Sequence, residues 1–370
     1  MKKTISKKTK IILIVLCAVV VIIIAGLYAG AVIIYNDNFN KRFESYEPLM
    51  LYTDDFDGLE RTQYQFPSDK GQLLTGYMYS FGEDQHGIVV MAHGFGGGGH
   101  NSYMDCANRF ARSGYYVFAY DATGNDESEG EAVGGLPQGV IDLDHAIDFV
   151  EESGSFPDLP IVLFGHSWGA YSVCSVLSYH PEVKAAVECA GFDRSLDMIE
   201  AQGKKLAGNG VYLLLPFIKL HESIKFGEYA QAGSMKGFAD SDTPVMAVHS
   251  ADDDTVPIEY GYDIYYEKYS DDPRFDFVRF EDSGHNYVYC DLTYVNEFNA
   301  GFDKWLETLD YDHNAEENKE RFAEDKAAYI NSNLDRIRWC DILNDELFDR
   351  FVSFYDEYTG ADAVLKKKGD

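Results

Sequence analysis

The sequence predicts an α/β protein: a mostly parallel sheet with helices on both faces. Short, continuously apolar runs bounded by glycine-rich turns give the strands, and amphipathic segments between them give the covering helices. One further observation sets the frame. The stretch from Ile11 to Tyr35 holds no charged residue, so a membrane span precedes the sheet.

Residues 1–10 carry Lys2, Lys3, Lys7, Lys8 and Lys10 and no acid. Residues 11–35 are long enough to cross the roughly 30 Å hydrocarbon core as a helix. A cleaved signal peptide with Ala29-Gly30-Ala31 as its small-residue site is the competing reading. The apolar run continues through Val32, Ile33 and Ile34, which favours an uncleaved signal-anchor. Five lysines before the span against Lys41 and Arg42 after it predict a single-pass topology, N-terminus cytoplasmic and domain outside. The chain has no Asn-x-Ser/Thr acceptor, which favours a bacterial cell surface over a glycosylating pathway.

Residues 36–60, polar and aromatic, read as a stalk. Leu73 to Phe81, Ile88 to Ala92, Tyr115 to Tyr120, Pro160 to Phe164, Lys184 to Cys189, Pro244 to His249 and Phe275 to Phe280 read as strands. Helices are expected over Asn101 to Ser113, Pro137 to Ser153 and Tyr171 to His180. This body covers 61–309, and its rhythm breaks at 192–243, where the apolar run "VYLLLPFIKL" suits a helical cap over the active face. Residues 310–370 form an acidic extension with helical periodicity (Ile330, Leu334, Ile337, then Leu347, Phe351, Tyr355). They are expected to pack on the body, with a partner-docking arm as the alternative.

Composition narrows the function. At 370 residues, with 46% hydrophobic and 25% charged content, the chain has an ordinary globular make-up. Its net charge of −31 argues against a nucleic-acid partner, because a polyanion is repelled. The six cysteines form no CxxC pair and read mostly as small buried hydrophobes. Nothing calls for a metal or another cofactor; no EF-hand spacing follows the aspartates at 252–254.

Chemistry concentrates where strands end, the place ligands occupy in such sheets. "GHSWG", Gly165 to Gly169, sits where an apolar strand passes into a helix. Flanking glycines let the two segments approach closely and hold Ser167 in a strained bend with its hydroxyl exposed. A serine hydroxyl needs a base, and the base an orienting acid. "VHSADDDTVP" follows one strand with three consecutive carboxylates, and "FEDSGHNYV" follows the last strand with His285. The glycine run "HGFGGGGHN" after an early strand suits an oxyanion hole: Phe95 supplies one N–H and Trp168, next to the serine, the other. His93, His100 and His166 read as structural, and Asp121 as a holder of its loop. The plain alternative is that Ser167 is only a turn residue.

On these residues the chain resembles the α/β-hydrolase-fold serine hydrolases. It is similar to the serine aminopeptidase-like branch that also holds monoacylglycerol lipases and lysophospholipases. The resemblance covers about residues 60–309 and rests on His93-Gly94-Phe95-Gly96, Asp121 to Gly130, the Ser167 elbow, Asp252-Asp253 to Val256-Pro257, and Gly284-His285. Matching the acid motif through its Val-Pro end puts the catalytic carboxylate at Asp253, with Asp252 as fallback. The family's second loop usually reads Asp-x-Arg-Gly-x-Gly-x-Ser. Here Ala122-Thr123 stands at the x-Arg pair and Asp126 at a glycine, a departure expected to change loop packing rather than the reaction.

The resemblance implies acyl transfer to water through Ser167, His285 and Asp253. A lipid-like or small carboxylic ester is the expected substrate, with the membrane as partner through the N-terminal helix. A serine aminopeptidase acting on short peptides is the rival. A non-catalytic, hydrolase-like binding ectodomain is the third reading.

Overall fold

The computed structural model describes residues 6–82 and 85–360. Lys2 and Lys3 of the basic segment and residues 361–370 of the C-terminal extension lie outside them. Among these described residues eight strands form one sheet: β1 (Glu60–Pro67), β2 (Leu73–Ser80), β3 (Gly87–Ala92), β4 (Tyr115–Tyr120), β5 (Ile161–His166), β6 (Ala186–Cys189), β7 (Val245–Ser250) and β8 (Phe275–Phe280). Their spatial order is β1-β2-β4-β3-β5-β6-β7-β8. The β1–β2 and β2–β4 pairs are antiparallel, and every pair from β4 to β8 is parallel.

Residues of β3, β5, β6 and β7 are buried at every position, as strands covered on both faces must be. Their apolar runs announce them. β1 is an edge strand, exposed at most positions and rich in polar side chains, so the sequence carried no such signal for it.

Among the described residues twelve α-helices accompany the sheet: α1 (Lys7–Phe39), α2 (Met104–Arg112), α3 (Pro137–Glu152), α4 (Trp168–Ser175), α5 (Ser195–Ala207), α6 (Leu215–Phe226), α7 (Ser234–Asp240), α8 (Tyr262–Tyr269), α9 (Leu292–Leu306), α10 (Lys319–Asn333), α11 (Arg336–Trp339) and α12 (Asp345–Thr359). One core lies under α3, α4 and α8 (Val140, Ile147, Tyr171, Tyr265). The other lies under α2 and α12 (Phe110, Phe348, Phe351, Tyr355). In α12, Leu347, Phe351 and Tyr355 recur every fourth residue and make one buried stripe. Tyr355 donates its hydroxyl to the carbonyl of Leu163 in β5 (2.7 Å). That helix of the extension is therefore an integral layer of the body. All six cysteines are free thiols, and Cys106, Cys174, Cys189 and Cys290 are buried.

α1 is long and apolar enough to cross a membrane. It starts at Ser6, whose hydroxyl accepts from the Thr9 N–H, and runs past Tyr35 to Phe39. Residues 36–60, read as a stalk, are instead bound to the body. Ala31, Tyr35 and Phe39 form a buried stripe joined to the first core. Backbone bonds then tie the chain down: Phe43 N–H to Gly124 C=O (3.0 Å), Asp126 N–H to Phe43 C=O (3.0 Å) and Gly134 N–H to Phe39 C=O (2.8 Å). The physical reason is the apolar residues spaced through this polar stretch; Leu51, Phe56 and Leu59 are all buried.

Candidate active site

Ser167 stands between β5 and α4 with φ 56° and ψ −115°. A non-glycine residue rarely adopts this conformation, which costs about 1–3 kcal/mol unless its surroundings impose it. Here they do. The Ser167 N–H donates to Cys189 C=O (2.8 Å) and its carbonyl accepts from Tyr171 N–H (3.0 Å). A Cβ added at Gly165 would collide with the Gly169 carbonyl, and one at Gly169 with the Ala92 carbonyl. The strand and helix can close on the serine only because both flanking positions are glycine.

The Ser167 hydroxyl reaches Nε2 of His285 at 2.9 Å. Nδ1 of the same ring donates to Oδ2 of Asp253 at 2.6 Å. The other Asp253 oxygen accepts from the Thr255 and Val256 N–H groups (2.9 and 2.8 Å). Burial pushes the Asp253 carboxyl up, but hydrogen bonds from His249 and His285 outweigh it and hold it well below the usual carboxylate range. Asp252 faces elsewhere, accepting from Ser250 Oγ (2.6 Å) and Gly284 N–H (2.9 Å). Within the aspartate triplet, Asp253 touches the imidazole and Asp252 braces the loop beneath it.

Phe95 and Trp168 line the same cavity as Ser167 and His285. The Phe95 ring packs edge-on against Trp168 (5.6 Å), Phe39 (5.7 Å) and Phe43 (5.0 Å). The glycine loop is thus held partly by the end of α1 and the residues after it. The cavity measures about 920 Å³, and Phe39, Phe192, Val211, Leu214 and Ile218 make its wall largely apolar.

Two positioning groups escaped the sequence reading. His249 is completely buried behind Asp253, its Nε2 3.3 Å from Oδ2. Burial pushes this imidazole down, yet its bond to Asp253 and the nearby Glu188 raise it overall. Its signal was a histidine in an otherwise apolar strand, four residues before the acid. The second is Tyr103. Its oxygen accepts from Gly94 N–H (2.9 Å) while its hydroxyl donates to Nδ1 of His166 (2.8 Å). Nε2 of His166 then donates to the His285 carbonyl (3.0 Å). Burial and the adjacent His285 push His166 down to about 3, so it is neutral and free to accept at Nδ1. This chain couples the glycine loop to the loop bearing His285. Tyr103→Phe strands the Gly94 N–H and one His166 nitrogen, at a cost of about 1–3 kcal/mol in stability. Thermal unfolding of the variant in detergent should show that loss, with kcat falling more than KM changes; an unaltered melting temperature and kcat would mean the chain is dispensable.

His93 and His100 act within loops. Nε2 of His93 accepts from Ala122 N–H (2.9 Å), and His100 pairs with Asp121 (2.7 Å). The departure at Asp126 has a clear consequence. This residue keeps a left-handed φ of 34°. Its carboxylate accepts from Ser45 N–H (2.6 Å), Ser45 Oγ (2.6 Å) and Gly99 N–H (2.8 Å). Arg42 donates to the carbonyls of Asp126, Ser128 and Gly130. The loop that lacks an arginine at 123 receives one from the segment following α1.

Residues 83–231 match the family model described as serine aminopeptidase, S33. A monoacylglycerol lipase of Mycolicibacterium smegmatis is 27% identical over 139 residues, 35% of this chain and 46% of that protein. A caffeoylshikimate esterase of Arabidopsis thaliana is 28% identical over 114 residues, 30% of this chain and 34% of that protein. The chain thus spans less than half the length of either relative. Among solved structures, an esterase of Pyrococcus furiosus superposes with a TM-score of 0.50 at 18% identity, over 72% of this chain and 98% of that one. With the strand order, the strained serine after the fifth strand and the family match across its centre, the chain has the α/β-hydrolase fold and is similar to the serine aminopeptidase and monoacylglycerol lipase branch.

Proposed function

We propose that this chain is a membrane-anchored serine hydrolase that cleaves a carboxylic ester through an acyl-enzyme. The observation that carries the reading is the continuous Ser167–His285–Asp253 hydrogen-bond relay opening into an apolar cavity. Ser167 attacks the ester carbonyl as His285 takes its proton, and Asp253 holds the ring in the tautomer that can accept it. The Phe95 and Trp168 amides receive the developing oxyanion at the start of α4, where the helix end also favours negative charge. His285 returns the proton to the departing alcohol. Water, deprotonated by the same ring, then frees the acid. α1 serves as the anchor, N-terminus in the cytoplasm and the hydrolase outside a bacterial membrane.

The cavity favours an ester over a peptide with a free amino terminus. Holding an ammonium requires an ionised carboxylate nearby, and the acid among the described lining residues is Asp105. Burial pushes its carboxyl up to about 6, one of its oxygens already accepts from the Cys106 N–H (2.7 Å), and the surrounding wall is largely apolar. The test uses the full chain in detergent: a fluorophosphonate probe, then p-nitrophenyl esters of increasing chain length against aminoacyl-naphthylamides. Labelling and ester turnover are expected, with rates rising into medium or long chains. Turnover of the naphthylamides alone would replace the esterase by an aminopeptidase, and absence of labelling would leave a binding ectodomain.

A further inference from the structure

We infer that the face built from residues 206–224 lies in the outer leaflet beside α1, and that the cavity receives its ester sideways from the membrane. This rests on the reading of α1 as a membrane span and of Ser167 as the nucleophile.

Depth is the first argument. At 1.5 Å per residue, a hydrocarbon core of about 30 Å takes roughly 20 helical residues. Counted from Ile11, it ends near Gly30, so Val21 to Tyr28 fall in its outer half. α6 runs beside this part of α1. Phe217 and Leu220 share an apolar crevice with Val21, Ile24, Ala25 and Tyr28. The two helices are locked together about two turns further along α1. Tyr35 donates its hydroxyl to buried Glu222 (2.9 Å), which also accepts from Ser195 (2.6 Å), and the His221 ring packs against Tyr35 (5.0 Å). Side chains beside Val21 to Tyr28 share that depth.

The surface composition agrees. Leu206 (84% exposed), Leu213 (59%), Leu220 (50%) and Ile224 (68%), with Tyr212, expose apolar area in one short stretch. Such an area on a water-facing surface marks an interaction site. Continuity with the apolar surface of α1 identifies the partner as lipid rather than protein. Charge points the same way in a chain of net charge −31: Lys219 is exposed beside Leu220, and Lys204, paired with Glu200 (2.6 Å), Lys205 and Lys225, bonded to the Gly134 carbonyl (2.7 Å), rim the stretch. Lysines flanking leucines suit an anionic interface, which repels the rest of the body.

The cavity meets this face. Leu206 and Ile34 both line the cavity and are exposed on the surface. Val211, Leu214 and Ile218 point into the cavity from the same turns whose Tyr212, Leu213 and Leu220 are exposed. An acyl chain leaving the leaflet would pass from one apolar wall to the next without crossing water.

The test places the full chain in phosphatidylcholine–phosphatidylglycerol vesicles containing a phospholipid with a photoactivatable acyl chain and maps the adducts by mass spectrometry. Leu213→Asp with Ile224→Asp, residues outside the cavity wall, is then compared with the unaltered chain on vesicle-borne p-nitrophenyl palmitate and on soluble p-nitrophenyl acetate. Expected are adducts in both α1 and 206–224, and at least a tenfold loss on palmitate with acetate turnover kept within twofold. Adducts in α1 alone overturn the inference and leave the anchor intact. Adducts in neither segment overturn the anchor reading and the inference with it. If the unaltered chain turns over neither ester, the hydrolase reading falls, and lateral delivery falls with it. Equal rates for both chains, or equal losses on both esters, overturn lateral delivery even with adducts present.

Discussion

Ser167→Ala is expected to lower kcat by about 10⁶-fold on any ester the chain accepts, since residues acting as one relay lose nearly everything when the attacking atom goes. The fold should survive. Alanine meets the same left-handed backbone at 167 as serine does, and the bonds that impose it come from the backbone of Ser167. Thermal unfolding of the variant in detergent should match the unaltered chain, and fluorophosphonate labelling should vanish. Undiminished labelling with the fold intact would move the nucleophile elsewhere.

Asp253→Asn should cost about 10⁴-fold in kcat for a reason fixed by the hydrogen bonds around it. One carboxylate oxygen is held by the Thr255 and Val256 amides. An asparagine keeps its oxygen there, so its NH₂ occupies the other position and donates to Nδ1 of His285. The ring proton is then forced onto Nε2, and the imidazole can no longer accept from Ser167. Asp252→Asn leaves the tautomer alone and weakens only the brace to Ser250 and Gly284; less than a tenfold loss is expected. Steady-state kinetics on a short soluble ester distinguishes the two, and a larger loss at 252 would shift the acid by one residue.

Much of this arrangement was legible because its causes are local. Buried parallel strands must be apolar throughout, so β3, β5 and β7 were visible as runs, and the serine, aspartate and histidine that meet in the structure lie where such runs end. The acid was uncertain by one position because three adjacent carboxylates look alike until a backbone turn aims one of them. What stayed hidden depends on partners distant in sequence. β1 pairs only along one edge and carries polar residues. His249 gains its meaning from Asp253 and Glu188 across two strands. The segment after α1 has the composition of a linker, and nothing in it shows that Arg42 and Ser45 meet the loop around Asp126. Aromatic residues at the helix end and just after it were the available clue, since Phe39 and Phe43 have no reason to lie in water.

The burial of α12 bears on how the protein is made. Leu163, in the strand leading to Ser167, receives its bond from Tyr355, which lies 192 residues later. At about 5–20 residues per second, roughly 10–40 s of translation separate the two. Through that interval one face of the sheet lacks α12 and leaves Phe164 and its neighbours uncovered. Folding therefore finishes late, and a chain stalled before residue 345 should be a substrate for chaperones and quality-control proteases rather than a slower enzyme.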